Sequence, residues 1–493
     1  MVITIIVLYL AALLFVFFYS LTQLDLIVGY LRKKKDYQAY LFEQENQTIH
    51  DWPFVTIQLP IYNELYVSER LLRSIAAIDY PKDKLEVQIL DDSNDSTTQI
   101  IQETLISLGD QASNFELIRR EERTGFKAGA LKYGLPKAKG EFIAIFDADF
   151  LPKTTFLKRT IPHFFANDKV GVVQSRWEHI NQNYSILTKA QAFALDAHFT
   201  IEQVGRHVGK HFINFNGTAG VWRKTCIEDA GNWQADTLTE DLDLSYRAQL
   251  KGWKFIYNEN LGSPAELPAS MNAWKSQQFR WNKGAAENVR KNIGKVFKAS
   301  LPSRTKIHAL FHLLNSSVLL AVIIMAMLSI PILLIKDVHG EKYRLIFQLA
   351  SFFVSSFFIL LSFYGVSFYR LRQKEKGGLW SFIHMFPIFL CFSLGMSLHN
   401  AIAVLEGYLG KKSAFIRTPK FNIINKKDKW TKNKYRIKTV SPLTFVEVLL
   451  SLYFLGGVIF GISIKEYDLL FLHTILSIGF GMVSFYSVKH ANT

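Results

Sequence analysis

Cysteine is nearly absent: Cys226 and Cys391 are the only two in 493 residues, and Cys391 lies in an apolar run. Two thiols so placed exclude a disulfide framework and a cysteine-based zinc site, and they fit a reducing compartment. Charge is just as scarce at the start of the chain, where Asp25 stands alone between Val2 and Leu26. No Lys or Arg precedes this run and no small-residue cleavage site follows it, so it reads as a retained anchor rather than a cleavable signal. No internal repeat or low-complexity tract is visible.

Long apolar runs are plentiful. Besides the first, they cover Ala309 to Ile335, Leu345 to Tyr369, Leu379 to Leu405, Val440 to Ile464 and Leu469 to Val488. About 20 apolar residues span a bilayer, so the chain reads as an integral, multi-pass membrane protein. Arg32, Lys33, Lys34 and Lys35 directly follow the first run. Basic residues beside a span mark the cytoplasmic side, which puts residues 36 to 306 in the cytosol. The net charge of +15 gathers at Arg32 to Lys35, Lys283 to Lys306, Arg370 to Lys376 and Lys411 to Lys438. Clusters beside spans answer to anionic headgroups and topology, so membrane lipids are expected as partners and nucleic acid is not. The last cluster must also face the cytosol, so Leu379 to Leu405 has to enter and return, or lie flat. Pro387, Gly395, Ser397, His399 and Asn400 within it favour a broken segment.

From residue 52 to about 265, short apolar runs alternate with helical patterns, as in a mostly parallel sheet covered by helices. Val55 to Leu59, Val87 to Leu90, Phe142 to Phe146 and Val170 to Gln174 read as buried strands; Leu71 to Ile78, Thr97 to Leu108, Ala128 to Lys137, Thr155 to Phe165 and Leu187 to Val204 read as helices. Ligands of such sheets bind beyond the carboxyl ends of the strands, where Asp91-Asp92-Ser93 and Asp147-Ala148-Asp149 fall. Transfer of a sugar from a nucleotide diphosphate needs the leaving group neutralised, and Asp147 and Asp149 can present carboxylates to Mg2+ or Mn2+. The bland reading is a cap for the next helix. Asp91 and Asp92 can accept from a base or ribose, Tyr62 and Glu64 end the first strand, and Lys127 opens a helix near the phosphates. Asp241, after Glu240, can be an acidic first turn or a general base for in-line, inverting attack. Arg280 can pair with the departing diphosphate, and Trp281 offers a flat face for a pyranose.

These strings carry a resemblance. Leu59-Pro60-Ile61-Tyr62-Asn63-Glu64, Gly125-Phe126-Lys127-Ala128-Gly129, Ile145-Phe146-Asp147-Ala148-Asp149, Phe215 to Arg223, Thr239-Glu240-Asp241 and Gln277-x-x-Arg280-Trp281 resemble family 2 glycosyltransferases of the GT-A fold, in the membrane-embedded cellulose-synthase-like group. Several look most like its plant mannan and xyloglucan-backbone synthases. The resemblance implies donor binding by Asp91 and Asp92, metal at Asp147 and Asp149, Asp241 as base, and diphosphate and acceptor contacts from Gln277, Arg280 and Trp281. Phe415-Ile416-Arg417-Thr418-Pro419-Lys420 resembles the gating loop of that group, with Phe415, Thr418 and Lys420 in register and Arg417 in place of an apolar residue.

The expected architecture is therefore an α/β GT-A domain, mostly parallel with helices on both faces, inserted between transmembrane α-helices. Its parts are a helix at 1–30, the catalytic domain at 36–281, an amphipathic interfacial segment at 282–306, transmembrane and re-entrant helices at 307–408, a basic gating-like loop at 409–440 and a hairpin at 441–488. The expected activity is transfer of hexose from UDP-glucose or GDP-mannose to a growing beta-linked, 1,4-type glucan or mannan. The alternative is a single addition to a ceramide or diacylglycerol lipid, which needs no channel through the helices. The compact chain suggests a bacterial inner membrane.

Overall fold

The computed structural model describes residues 1–372, 378–413, 415–431 and 433–492. Positions 373–377 of the basic cluster at Arg370 to Lys376 lie outside the described residues. Seven strands form one sheet: β1 (Val55–Ile61), β2 (Leu85–Asp91), β3 (Phe115–Arg119), β4 (Phe142–Ile145), β5 (Val170–His179), β6 (Gly220–Arg223) and β7 (Lys254–Ala265). The spatial order is β3-β2-β1-β4-β6-β5-β7. The half from β3 to β4 is parallel, and β6 runs antiparallel to both β4 and β5. β1 and β2 are buried almost throughout, which is why they read as unbroken apolar runs rather than alternating ones.

Three strands escaped the sequence reading for local reasons. β3 is a partly exposed edge, β6 has four residues, and β7 is interrupted by Asn258, Glu259 and Asn260 where its pairing with β5 shifts register. The helices of this domain are α2 (Ser68–Ala76), α3 (Thr97–Leu108), α4 (Phe126–Gly134), α5 (Phe156–Thr160), α6 (Ile186–Ala197), α7 (Gln203–Val208), α8 (Lys224–Asp229) and α9 (Glu240–Leu250), with α1 before them. The helix expected over Leu187 to Val204 is divided by a π turn at His198–Glu202.

α1 (Val2–Glu45) continues past the membrane-crossing segment expected at 1–30. At 1.5 Å per residue its 44 residues run about 66 Å, twice a bilayer core, and its second half docks on the sheet. There Tyr37 donates to the Tyr257 carbonyl at 2.7 Å and Glu45 pairs with Arg159 at 2.8 Å. The boundary at 281/282 is corrected, because it falls inside one helix, α10 (Met271–Lys298). Residues after 281 are not a free amphipathic segment: Lys283, Asn288 and Asn292 are wholly buried, and the two asparagines bond to Thr239 and Asp243.

The remaining helices are α11 (Ser303–Leu313), α12 (Ser317–His339), α13 (Arg344–Phe352), α14 (Ser355–Arg372), α15 (Gly378–Gly395), α16 (Ser397–Tyr408), α17 (Leu443–Ser463) and α18 (Leu470–Asn492). Among the described residues six helical segments are long and apolar enough to cross a membrane: Val2–Glu45, Ser303–His339, Arg344–Arg372, Gly378–Gly395, Leu443–Ser463 and Leu470–Asn492. α15 packs chiefly on α18 and, like α14, also on α6. Its Phe382, Phe386 and Phe389 meet Phe193 of α6, and its Phe392 meets Trp274 of α10, so it lies along the catalytic domain. The following α16 packs on α10 and is too short to span. This geometry returns the chain after α16 to the catalytic side, where Lys420 reaches Asp149.

α15 and α18 cross with their backbones in contact. A Cβ placed on Gly395 would collide with the Gly479 carbonyl, and one on Gly479 with the Cys391 carbonyl. Small residues at such crossings let helices approach closely in membranes. Gly479→Leu is therefore expected to lower stability by about 1–3 kcal/mol through overpacking, read by thermal unfolding in detergent. Gly456→Ala, where nothing lies within 4 Å of the added carbon, is the control expected to leave it unchanged.

Candidate active site

A cavity of about 190 Å³ opens beyond the carboxyl ends of β1, β2 and β4. It is lined by Tyr62, Glu64, Asp92, Lys127, Asp147, Asp149, Glu240, Asp241, Gln277, Arg280, Trp281, Phe415, Thr418 and Lys420. Every residue expected from the sequence is thus brought together except Asp91. The Asp91 carboxylate is buried at the foot of the turn, where it accepts from the Ser93 amide at 2.9 Å and the Thr98 hydroxyl at 2.6 Å. Strand alternation explains the split, since neighbouring side chains face opposite ways and only Asp92 reaches the cavity.

β4 delivers Asp147 and Asp149. The Asp147 amide donates to the Thr218 hydroxyl at 2.8 Å, tying the β4 end to the turn before β6. Lys127 Nζ, from the first turn of α4, donates to Asp147 Oδ1 at 2.5 Å and to the Gly217 carbonyl at 2.8 Å. Burial alone would lower the Lys127 pKa, but Asp147, Glu240 and Asp241 outweigh it and hold the ammonium above its usual range. Gly217 has φ +78°, and a Cβ there would stand 3.1 Å from Asp241 Oδ2 and 3.5 Å from Lys127 Nζ, so glycine brings backbone between the carboxylate and the ammonium.

Asn63, at φ 53°, clips β1 to β2: its amide donates to Ser93 Oγ at 2.9 Å and its side chain bonds Asn94 in both directions. That turn presents Tyr62 and Glu64. Arg120 grips Asp92 with two guanidinium bonds, the Nε one at 2.9 Å, and Arg123 lies 3.4 Å from the Tyr62 ring centre. Both arginines went unread because no motif marks the exposed-looking run Arg119 to Thr124; their signal is position, between the end of β3 and α4.

Asp241 and Glu240 begin α9. Burial, followed by the neighbouring Glu240 charge, raises the Asp241 carboxyl well above the ordinary range, and burial raises Glu240 as well. Opposite them α10 carries Gln277, Arg280 and Trp281 on successive turns of one face. The Trp281 ring is 6.5 Å from Trp177 of β5, which in turn packs edge-on to Phe150 at 5.1 Å. Trp177 also lines the cavity and was not anticipated.

The loop after α16 closes the cavity. Lys420 Nζ donates to Asp149 Oδ2 at 2.6 Å, and Phe415 stacks on Phe126 at 5.4 Å beneath the Arg280 guanidinium at 4.7 Å. Arg417, the departure from the gating-loop pattern, forms an ion pair with Glu64 at 2.6 Å. Burial pushes Glu64 up to about 7 against the pull of Arg417 and Lys420. Glu266, at the end of β7, accepts from the Phe421 and Asn422 amides at 2.8 and 3.0 Å and anchors the loop. A lone glutamate after an apolar strand gives no sequence signal for such a clamp.

The family model described as "Glycosyltransferase like family 2" matches residues 53–284. "Glucomannan 4-beta-mannosyltransferase 9" of Arabidopsis thaliana is 32% identical over 417 residues, which is 82% of this chain and 75% of the relative. "Probable glucomannan 4-beta-mannosyltransferase 7" of Oryza sativa subsp. japonica is 44% identical over 245 residues, 49% of this chain and 42% of the relative. The chain spans about half the length of several of the curated relatives it matches. A solved mannosyltransferase from Pyrobaculum calidifontis, in complex with GDP-Man and Mn2+, covers 79% of this chain at 18% identity and a TM-score of 0.49, over 99% of its own length. The motif order, the closed acidic cavity and the extent of the Arabidopsis match agree: the chain belongs to the family 2 glycosyltransferases, in their mannan-synthase-like, cellulose-synthase-like group.

Proposed function

We propose that the protein is an inverting, membrane-embedded synthase that transfers mannose from GDP-mannose, or glucose from UDP-glucose, to a growing β-1,4-linked polysaccharide. The observation that carries this reading is a second cavity, about 450 Å³, that continues from the first into the helices. The two share Trp177, Leu195, Asn216, Thr239, Asp241, Gln277 and Trp281. From there the second passes Gln191 and Glu202, then Tyr19 and Gln23 of α1, Tyr364 of α14 and Asn400 of α16. Polar and aromatic groups, set among aliphatic ones such as Leu195, Val318, Leu319, Leu360 and Met396, suit a sugar chain, which presents hydroxyl edges and apolar faces. A lipid acceptor needs only an opening at the interface. The printed names of the relatives support the mannosyl choice.

In this mechanism Asp241 accepts the proton of an acceptor hydroxyl held over Trp281, as that oxygen attacks the anomeric carbon opposite the leaving group. Arg280 and Lys127 stand where they neutralise the departing diphosphate. Asp147 and Asp149 fit a hard divalent cation, Mg2+ or Mn2+, because both offer carboxylate oxygens to one cavity. Bound there, the cation supplies further charge neutralisation of the diphosphate. Glu64, Asp92 and Tyr62 flank the nucleotide. The basic residues beside α1 support a cytosolic catalytic domain. The relatives compared by sequence are plant proteins, which lends the bacterial inner membrane no support.

Membranes holding the protein, given Mg2+ or Mn2+ and labelled GDP-mannose or UDP-glucose in turn, are expected to form label that resists organic extraction and yields to a β-1,4-mannanase or glucanase. Label confined to one lipid-sized, extractable species would establish single addition instead. The base also sets the pH dependence. Asp241 acts ionised, and its raised pKa places the acid limb of the rate above the ordinary carboxylate range, with activity lost as pH falls through it. Glu240→Gln removes a neighbouring negative charge and should move that limb to lower pH; a limb that stays put or moves up contradicts the assignment.

A further inference from the structure

Five Lys and Arg side chains line the first cavity, and four of them are engaged within the protein. Lys127 and Lys420 hold Asp147 and Asp149, Arg417 holds Glu64, and Arg280 donates to the Ile416 carbonyl at 3.3 Å. Among the described residues, Arg123 alone of the five has neither an ion pair nor a hydrogen bond. Only rings hold its guanidinium, which lies 3.4 Å from the centre of Tyr62 and 4.9 Å from that of Phe126. Its Nε is shut off from solvent and has no partner. A guanidinium carries five N–H donors, so a cavity-lining one left unmatched calls for an acceptor from outside the chain.

Arg120, three residues earlier, shows the contrast. It grips both Asp92 oxygens and donates to the carbonyls of Thr124 at 2.8 Å and Phe126 at 3.1 Å. Those bonds staple down the turn between β3 and α4, in which Gly125 and Phe126 both take positive φ, 71° and 50°. Such backbone persists only where its surroundings over-determine it, and here they fix where Arg123 stands. Asp92, whose charge acts on Arg123, is already taken by Arg120. The turn therefore presents one committed guanidinium and one open one.

We propose that Arg123 is the residue that reads the base of the donor nucleotide, and that it selects guanine over uracil. The inference rests on the nucleotide-sugar reading above and deepens it. Lys127 and Arg280 serve the diphosphate, whereas Arg123 stands with Tyr62 at the end of β1 and Asp92 beyond β2, beside the nucleoside. A guanidinium lying over a ring directs its N–H groups outward past the rim, where an adjoining base meets them edge on. Guanine offers O6 and N7 side by side, two acceptors matched to two of those groups. Uracil has no such adjacent pair, and adenine sets an amino donor beside its N7. Specificity for the base thus falls on a side chain outside the acidic motifs.

The test measures equilibrium binding of GDP and of UDP, each with Mn2+, to the full-length protein in detergent. Wild type is expected to bind GDP at least about tenfold more tightly than UDP. Arg123→Lys keeps the charge but loses the fork, and Arg123→Gln loses both; each should weaken GDP at least about tenfold and leave UDP within about twofold. Arg123 makes no hydrogen bond inside the protein, so both variants are expected to fold. A contact with the diphosphate would instead weaken GDP and UDP alike in Arg123→Gln and be restored by Arg123→Lys. That pattern, or a wild type that prefers UDP, overturns the assignment of Arg123 to the base and leaves the nucleotide-sugar reading standing. A wild type that binds neither nucleotide overturns both.

Discussion

Seven carboxylates, Glu64, Asp92, Asp147, Asp149, Glu240, Asp241 and Glu266, share one cavity, and the surrounding architecture follows from the need to balance them. Buried charge is tolerated only when paired, since attraction between partners must offset the loss of water. The partners come from separate parts of the chain: Lys127 from α4, Arg280 from α10, Arg417 and Lys420 from the loop after α16. The helix α4 can bring Lys127 in only because Gly129 lies against the Thr124 carbonyl, where any Cβ would collide. The loop after α16 seats two of these cations, Arg417 on Glu64 and Lys420 on Asp149.

One helix ties this chemistry to the membrane. α10 bears Gln277, Arg280 and Trp281 on its cavity side, while Lys275 on the same helix forms a buried pair with Glu447 of α17 at 2.7 Å. Two residues beyond Trp281, Lys283 reaches Glu406 at 3.1 Å and Ser413 at 2.7 Å, linking α10 to α16 and to the start of the loop. α10 thus ties the cavity wall at Trp281, the start of the loop and the helix bundle together. A cavity that begins at Trp281 and ends among α1, α14 and α16 is the geometric result.

Much of this was legible in the sequence because the informative residues are local. Asp147-x-Asp149 and Asp92 sit at strand ends that read as apolar runs, Thr97–Leu108 announces itself by its helical spacing, and Pro387, Gly395 and Asn400 mark a segment that breaks at Met396. What escaped depends on contacts far apart in sequence. Arg120 and Arg123 lie in a polar stretch that looks solvated until Asp92 and Tyr62 face it. Glu266 acquires a role only when residues 421 and 422 arrive from 155 positions away. Asp91 was misread because both carboxylates of an Asp-Asp pair look alike in a string, whereas a strand end turns one inward. The 281/282 boundary failed because the basic, apolar pattern after Trp281 is buried against α9 and α16 rather than laid on lipid.

The account stands or falls on a division of labour within the acidic cavity, and donor binding measured beside transfer tests it directly. Labelled GDP-mannose binding to purified Asp149→Asn and Asp241→Asn, compared with turnover by each, is expected to show donor affinity lost in the first and kept in the second, with transfer abolished in both. Equal loss of donor binding in the two variants would contradict the assignment of Asp149 to the metal and donor and of Asp241 to the acceptor proton.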